Sequence, residues 1–128
     1  MPRVASVTVV VRDYDEAIAF FVGAAGFTLL EDTDLGSGKR WVRVAPSGGV
    51  GATLLLAEAA TPAEESRIGD QTGGRVFLFV ETDDFARDHA RMIGAGVRFI
   101  EQPRHEPYGT VAVFEDLYGN RYDLIEPH

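Results

Sequence analysis

A chain of 128 residues with 20 acidic and 12 basic side chains carries a formal charge of −8, which excludes the clustered positive charge that nucleic-acid binding requires. Its 45% hydrophobic and 10% aromatic content is that of a globular sequence, and one domain of this length buries roughly two-thirds of the surface of its unfolded chain. Cysteine is absent, so disulfides and thiolate zinc sites are excluded as well. Met1 to Ser6 holds no apolar signal segment, and no apolar run approaches the ~20 residues of a membrane span. A cytoplasmic protein with neither membrane nor nucleic-acid partners is expected. The acidity suits a solvated surface and, weakly, a cationic ligand.

The first predicted element is a strand in Ser6-Val7-Thr8-Val9-Val10-Val11, where alternation sends Val7, Val9 and Val11 to the covered side of a sheet and Ser6, Thr8 and Val10 to the other. A helix follows from Asp13 as N-cap, with Glu16 three residues on, to Gly26 as the left-handed C′ residue; Ala17, Phe20, Phe21 and Ala24 form its packing stripe. Strands are expected at Phe27 to Glu31, Arg40 to Val44 and Thr53 to Ala57, separated by the turn signals Gly36-Ser37-Gly38 and Pro46-Ser47-Gly48-Gly49. Thr61-Pro62-Ala63-Glu64 reads as a short helix start, with proline at N1 and a Thr/Glu capping pair.

The pattern then repeats. In the strand Arg75 to Val80, Val76, Leu78 and Val80 are expected on the covered side, with Arg75, Phe77 and Phe79 opposite. A helix from about Asp84 to Gly94 turns Phe85, Met92 and Ile93 inward, with His89 on the same stripe, read as a packing residue with a ligand role as the alternative. Strands are expected at Val97 to Glu101, Thr110 to Phe114 and Arg121 to Ile125, the last two joined by a turn at Tyr118-Gly119-Asn120. Ala25-Gly26 and Ala95-Gly96 lie 70 positions apart, and the opening strands align at 69, so the chain is read as one module used twice.

These residues resemble a known family. Two βαβββ modules, an opening strand ending in Val11-Arg12-Asp13, an Ala/Phe/Phe helix running into Gly26-Phe27, and the closing Phe114-Glu115-Asp116-Leu117-Tyr118-Gly119-Asn120 are similar to the vicinal oxygen chelate superfamily. That group includes glyoxalase I, extradiol dioxygenases, fosfomycin-resistance enzymes and bleomycin-binding proteins. The resemblance implies an α+β fold: a curved mixed sheet of eight strands around a cavity, helices outside, in one domain over 1–128. Its modules would span about 1–60 and 73–128 with a linker over 61–72, and it would assemble as a homodimer. Leu117 stands where the family often has proline.

Members that use a metal place a His on each opening strand and a carboxylate on each final strand, a donor set that suits a divalent ion with positions open for substrate. Here Ser6 and Arg75 occupy the two His positions, the first final strand offers no acid between Thr53 and Leu55, and Asp123 alone keeps a carboxylate. A guanidinium carries no lone pair to donate, so no metal or other cofactor is expected. Instead Arg75 and Asp123 either pair with each other or frame a small-molecule site, with Arg75 holding an anionic ligand. Trp41, Phe77, Phe79 and Phe114 then serve as its walls, with Ser6 and Arg43 beside them. His105 and Glu106 lie in a segment read as a connection, with a general base as the alternative. The leading reading is a metal-independent member binding a small organic molecule. A metal-dependent lyase or dioxygenase of the same superfamily and a non-catalytic accessory protein are the alternatives, and whether the chain is an enzyme stays open.

Overall fold

Alternation in the opening strand produces the expected division of faces. In the computed structural model, which describes residues 1–46 and 50–128, β1 (Ser6–Val11) buries Val9 and Val11 completely while Ser6 and Thr8 stay exposed. β1 lies parallel to β4 (Thr53–Glu58), and the sheet continues antiparallel through β3 (Lys39–Ala45) to β2 (Thr28–Gly36), in the order β1-β4-β3-β2. Val42, Val44, Leu54 and Leu56 complete the buried face, and α1 (Tyr14–Ile18) packs on β3 and β4 through Tyr14 and Ala17. Full burial of each such apolar side chain contributes roughly 1.5–3 kcal/mol.

The first helix begins as expected, with the Asp13 carboxylate accepting from Glu16 N at 2.9 Å. Arg12 takes the Glu16 carboxylate through two bonds of 2.9 Å. From Ala19 to Ala24 the helix widens to the π form, Ala25 N donating to Phe20 O at 2.8 Å, and the chain leaves through Gly26 at φ 79°. β2 runs past the expected Glu31 to Gly36. Aspartate disfavours strands, but ion pairs from Asp32 to Arg40 (2.7 Å) and from Glu31 to Arg43 (2.9 Å) hold the acidic stretch in place. The β2–β3 turn has positive φ at both Ser37 (56°) and Gly38 (80°), the backbone of a type I′ hairpin. Of the expected turn at Pro46-Ser47-Gly48-Gly49, residues 47–49 lie outside the described residues.

The second unit, Gly69–His128, repeats this plan after α2 (Pro62–Glu65), which is capped by Thr61 accepting from Glu64 N at 3.1 Å. β5 (Val76–Glu81) is parallel to β9 (Arg121–Pro127), which is followed by β8 (Gly109–Glu115) and β6 (Arg98–Phe99); β7 (Arg104–Glu106) also pairs with β8. The described residues thus hold nine strands in two mixed sheets, one more than the resemblance implied. The extra strand is β7: the segment from His105 to Gly109, read as a connection, is the tip of a β7–β8 hairpin. Both units close the helix start alike. Glu58 accepts from Tyr14 N at 3.3 Å and Glu126 accepts from Phe85 N at 2.7 Å, each a carboxylate at the end of the last strand meeting the first helical N–H.

α3 (Phe85–Gly94) buries Phe85 and Met92, whereas Ile93 is 50% exposed. Ile93 lies eight residues after Phe85, about 80° round the helix, which takes it off the narrow packing stripe. Beneath α3 runs a continuous aromatic stack. His89 lies on Phe85 (5.1 Å) and meets Phe99 edge-on (4.5 Å); Phe99 touches Phe114 (5.6 Å), Phe114 stacks on Tyr122 (5.0 Å, 9°), and Tyr122 meets Phe77 (6.0 Å).

The closing turn accounts for its own sequence. Buried Asp116 accepts through Oδ1 from Tyr118 N (2.9 Å) and Asn120 N (3.0 Å), and through Oδ2 from Asn120 Nδ2 (2.9 Å) and Tyr122 Oη (2.7 Å). Asn120 Oδ1 in turn accepts from Gln71 N at 3.2 Å. Gly69, at φ 76°, passes so close to this turn that a Cβ there would overlap the Tyr118 carbonyl oxygen. Leu117 occupies the second position of a turn closed by Gly119 N donating to Asp116 O (3.1 Å), a place that leucine and proline both fit.

Candidate functional site

β9 is the central strand of the second sheet, and its alternation sets the site. Tyr122 and Leu124 are buried toward α3, so Asp123 and Ile125 point to the opposite, open face. Register places Phe79 of β5 on one side of Asp123 and Val113 of β8 on the other. Phe79 is 68% exposed, a whole ring presented beside a carboxylate.

Asp123 is part-exposed, yet its Oδ1 is shielded from solvent and has no hydrogen-bond partner. Burial pushes its carboxyl above the usual value; the Arg104 guanidinium pulls it down, and the Glu101 carboxylate pushes it up again. Arg104 shares this face through its register with Val111, and Glu101 and Glu106 hold it, with Nε donating to Glu101 at 3.1 Å and an Nη to Glu106 at 3.2 Å. Tyr108 hydrogen-bonds to it as well. Glu101 is itself fixed by accepting from Val113 N at 3.1 Å. The sequence reading missed Arg104 and Glu101 as site residues. The alternating charges in Arg104-His105-Glu106, which put Arg104 and Glu106 on one face of a strand, were the available signal.

A polar group left unpaired in a folded protein costs stability and calls for an explanation. Because the folded-state pKa of Asp123 lies above its unfolded value, its contribution to stability is complete below the unfolded pKa and is lost as pH rises through the folded one. Asp123→Asn is therefore expected to raise the melting temperature at neutral pH, by at most about 1 kcal/mol of stability. The advantage over the parent should shrink as pH is lowered toward 3.8, the ordinary carboxyl value. Paired thermal melts across pH 3–8 check this, and a variant no more stable than the parent at pH 7 would contradict it.

The residues expected at the site divide into three groups. Ser6, Trp41 and Arg43 come together on the open face of the first sheet: Ser6 Oγ and Thr53 Oγ1 are 2.8 Å apart, Arg43 reaches Thr53 Oγ1 at 3.5 Å and Glu31 at 2.9 Å, and the exposed Trp41 stands two residues before Arg43. Phe79 and Asp123 meet on the second sheet. Arg75, Phe77 and Phe114 do not join them. Arg75 lies exposed in a bend ahead of β5, four residues and about 13 Å of strand before the position that pairs with Asp123. Phe77 sits at a register irregularity between Val76 and Leu78 that turns it to the helix side, against Tyr122. Phe114 is 1% exposed in the aromatic stack. Among the described residues, no three His, Asp or Glu side chains gather as a metal-binding group, and no helix is long and apolar enough to cross a membrane.

Known proteins are similar to this chain in sequence and fold. An uncharacterized protein of Shewanella frigidimarina (strain NCIMB 400) is 54% identical over 121 residues, 94% of this chain and 90% of its own length. TnmS3, an antibiotic binding protein from Streptomyces sp. CB03234, has a crystal structure that is 33% identical and superposes with a TM-score of 0.80, covering 100% of this chain and 98% of its own. A glyoxalase/bleomycin resistance protein from the same Streptomyces is 34% identical, with a TM-score of 0.74 over 95% of this chain and 98% of that one. The sequence profile of the Glyoxalase/Bleomycin resistance protein/Dioxygenase superfamily matches residues 3–124, from just before β1 into β9. Because that match takes in both modules and the turn that closes the second, the chain belongs to the Glyoxalase/Bleomycin resistance protein/Dioxygenase superfamily.

Proposed function

We propose that this protein binds a small organic molecule without a metal ion, on the open face around Asp123 and Phe79, as a cytoplasmic homodimer. The observation that carries this reading is the shielded, unpartnered oxygen of Asp123 beside an exposed aromatic ring. A carboxylate that the protein leaves without a donor is placed to receive one from a ligand, and the ring beside it offers apolar surface. Ser6 and Arg75 at the two positions where metal-using relatives of this fold place imidazoles support independence from metal, as does the cation of Arg104 as the charged neighbour of Asp123. That TnmS3 is an antibiotic binding protein supports binding as the activity. Ser6, Trp41 and Arg43 on the first sheet form a separate candidate ligand-binding face in this reading.

A thermal-shift screen of small organic molecules, followed by calorimetry on the hits, tests the proposal. Asp123→Asn is expected to weaken a hit by about 1.5–3 kcal/mol, the scale of a hydrogen bond to a charged group, while Arg75→Ala leaves its Kd within twofold. A hit that Arg75→Ala weakens and Asp123→Asn does not would move the site away from Asp123. Elemental analysis of protein purified without chelators, with melts in nickel, zinc, manganese and iron(II), tests the metal: one bound equivalent with a clear upward shift overturns metal independence. Sedimentation tests the homodimer.

A further inference from the structure

Resting on the reading that the open face of the second sheet binds a small molecule, we infer that it selects an organic cation, an ammonium or amidinium group carried on an aromatic or apolar body, and turns away carboxylates. The charges on that face give the sign. Asp123, Glu101 and Glu106 supply three carboxylates and Arg104 a guanidinium held between Glu101 and Glu106, with Tyr108 bonded to it as well, while Arg121, two residues before Asp123 on the same face of β9, stands level with Glu115 and 4.0 Å from its carboxylate. An incoming anion would have to break those bonds and then sit among three like charges. A cation meets a carboxylate that is part-exposed and unclaimed by the protein, with its Oδ1 already shielded from water and given no donor in exchange. Attraction between a carboxylate and a cation strengthens as water is removed from around the pair, so this carboxylate rewards a charged donor more than a fully hydrated one would.

The apolar part of the ligand has its own partner. Phe79, level with Asp123 in the parallel β5–β9 pair and 68% exposed, stands on the neighbouring strand at the same height as the carboxylate-bearing residue. A ring face attracts a cation and stacks on an aromatic body. Val113, level with Asp123 on the other side and buried, closes that flank without adding a polar group. The site-facing charge of Arg75 that favoured an anionic ligand in the sequence is absent from this surface, because Arg75 lies beyond the start of β5.

Benzylamine, benzyl alcohol and benzoate present one aromatic body with a cationic, a neutral and an anionic head, and titrating each into ¹⁵N-labelled protein at neutral pH tests the sign directly. Benzylamine is expected to shift the amides of Phe79, Val113 and Asp123 with a Kd about tenfold below that of benzyl alcohol, and benzoate to leave them unmoved. Asp123→Asn and Asp123→Ser, each checked for a dispersed spectrum, are expected to remove the preference for the amine. Benzoate shifting the same amides as strongly as benzylamine, or a preference that survives in both variants, overturns the inference. Equal binding of all three on this face defeats cation selectivity and leaves small-molecule binding standing. Shifts from none of the three at millimolar concentration defeat both.

Discussion

Asp116→Ala should cost about 3–5 kcal/mol of stability, the scale of leaving two buried side-chain donors unsatisfied at about 1–3 kcal/mol each. One side chain here satisfies two backbone N–H groups, the Asn120 amide and the Tyr122 hydroxyl. Alanine removes the acceptor and leaves those donors behind, two of them on the buried side chains of Asn120 and Tyr122. Against a typical total of roughly 5–15 kcal/mol, the loss is a large fraction of the whole. Tyr122→Phe deletes a single donor and should cost less, about 1.5–3 kcal/mol, because the carboxylate keeps its other three bonds. Urea unfolding followed by fluorescence gives both values. A loss below about 1 kcal/mol for Asp116→Ala, with an unchanged m-value, would show that the turn holds without its anchor. The same variant should loosen the entry to β9 and the Gly69–Gln71 segment, since Gln71 is tied to Asn120.

The second large effect separates two phenylalanines that the sequence treats alike. Phe114→Ala should destabilise by about 3–5 kcal/mol, because the ring is fully enclosed between Phe99 and Tyr122 and the cavity it leaves cannot collapse against the strands that hold it. Phe79→Ala should leave stability within about 0.5 kcal/mol of the parent, since the ring faces outward, and should weaken aromatic ligands. Denaturation midpoints and ligand titrations on the two variants check the contrast. If Phe114→Ala proves mild in stability and severe in binding, Phe114 lines the site after all and the aromatic stack is not the core of this unit.

Much of the candidate site was out of reach of the sequence for one reason. Asp123 could be picked out as a carboxylate on a final strand, and alternation alone sends it to the face opposite Tyr122 and Leu124. Its companions could not. Arg75 looked like its partner because the modules align at a fixed offset, but an offset in sequence does not carry register across strands, and Asp123 stands level with Phe79. Arg104 became its charged neighbour only through the hairpin of β7 with β8, whose pairing of Arg104 with Val111 no local pattern announces.

What the sequence determined by itself is local or periodic: two copies of one module, the buried face of β1, the caps at Asp13 and Thr61, and the turn at Tyr118-Gly119-Asn120. Those features follow from alternation, capping chemistry and turn geometry, which act within a few residues. Tertiary structure alone decided that an irregularity at Val76/Leu78 turns Phe77 to the helix side, that Phe114 belongs to an aromatic core, and that Asp123 keeps an oxygen without a partner. Each of these depends on which strands meet and in what register, and a single slip of one residue would send every side chain of a strand to its other face.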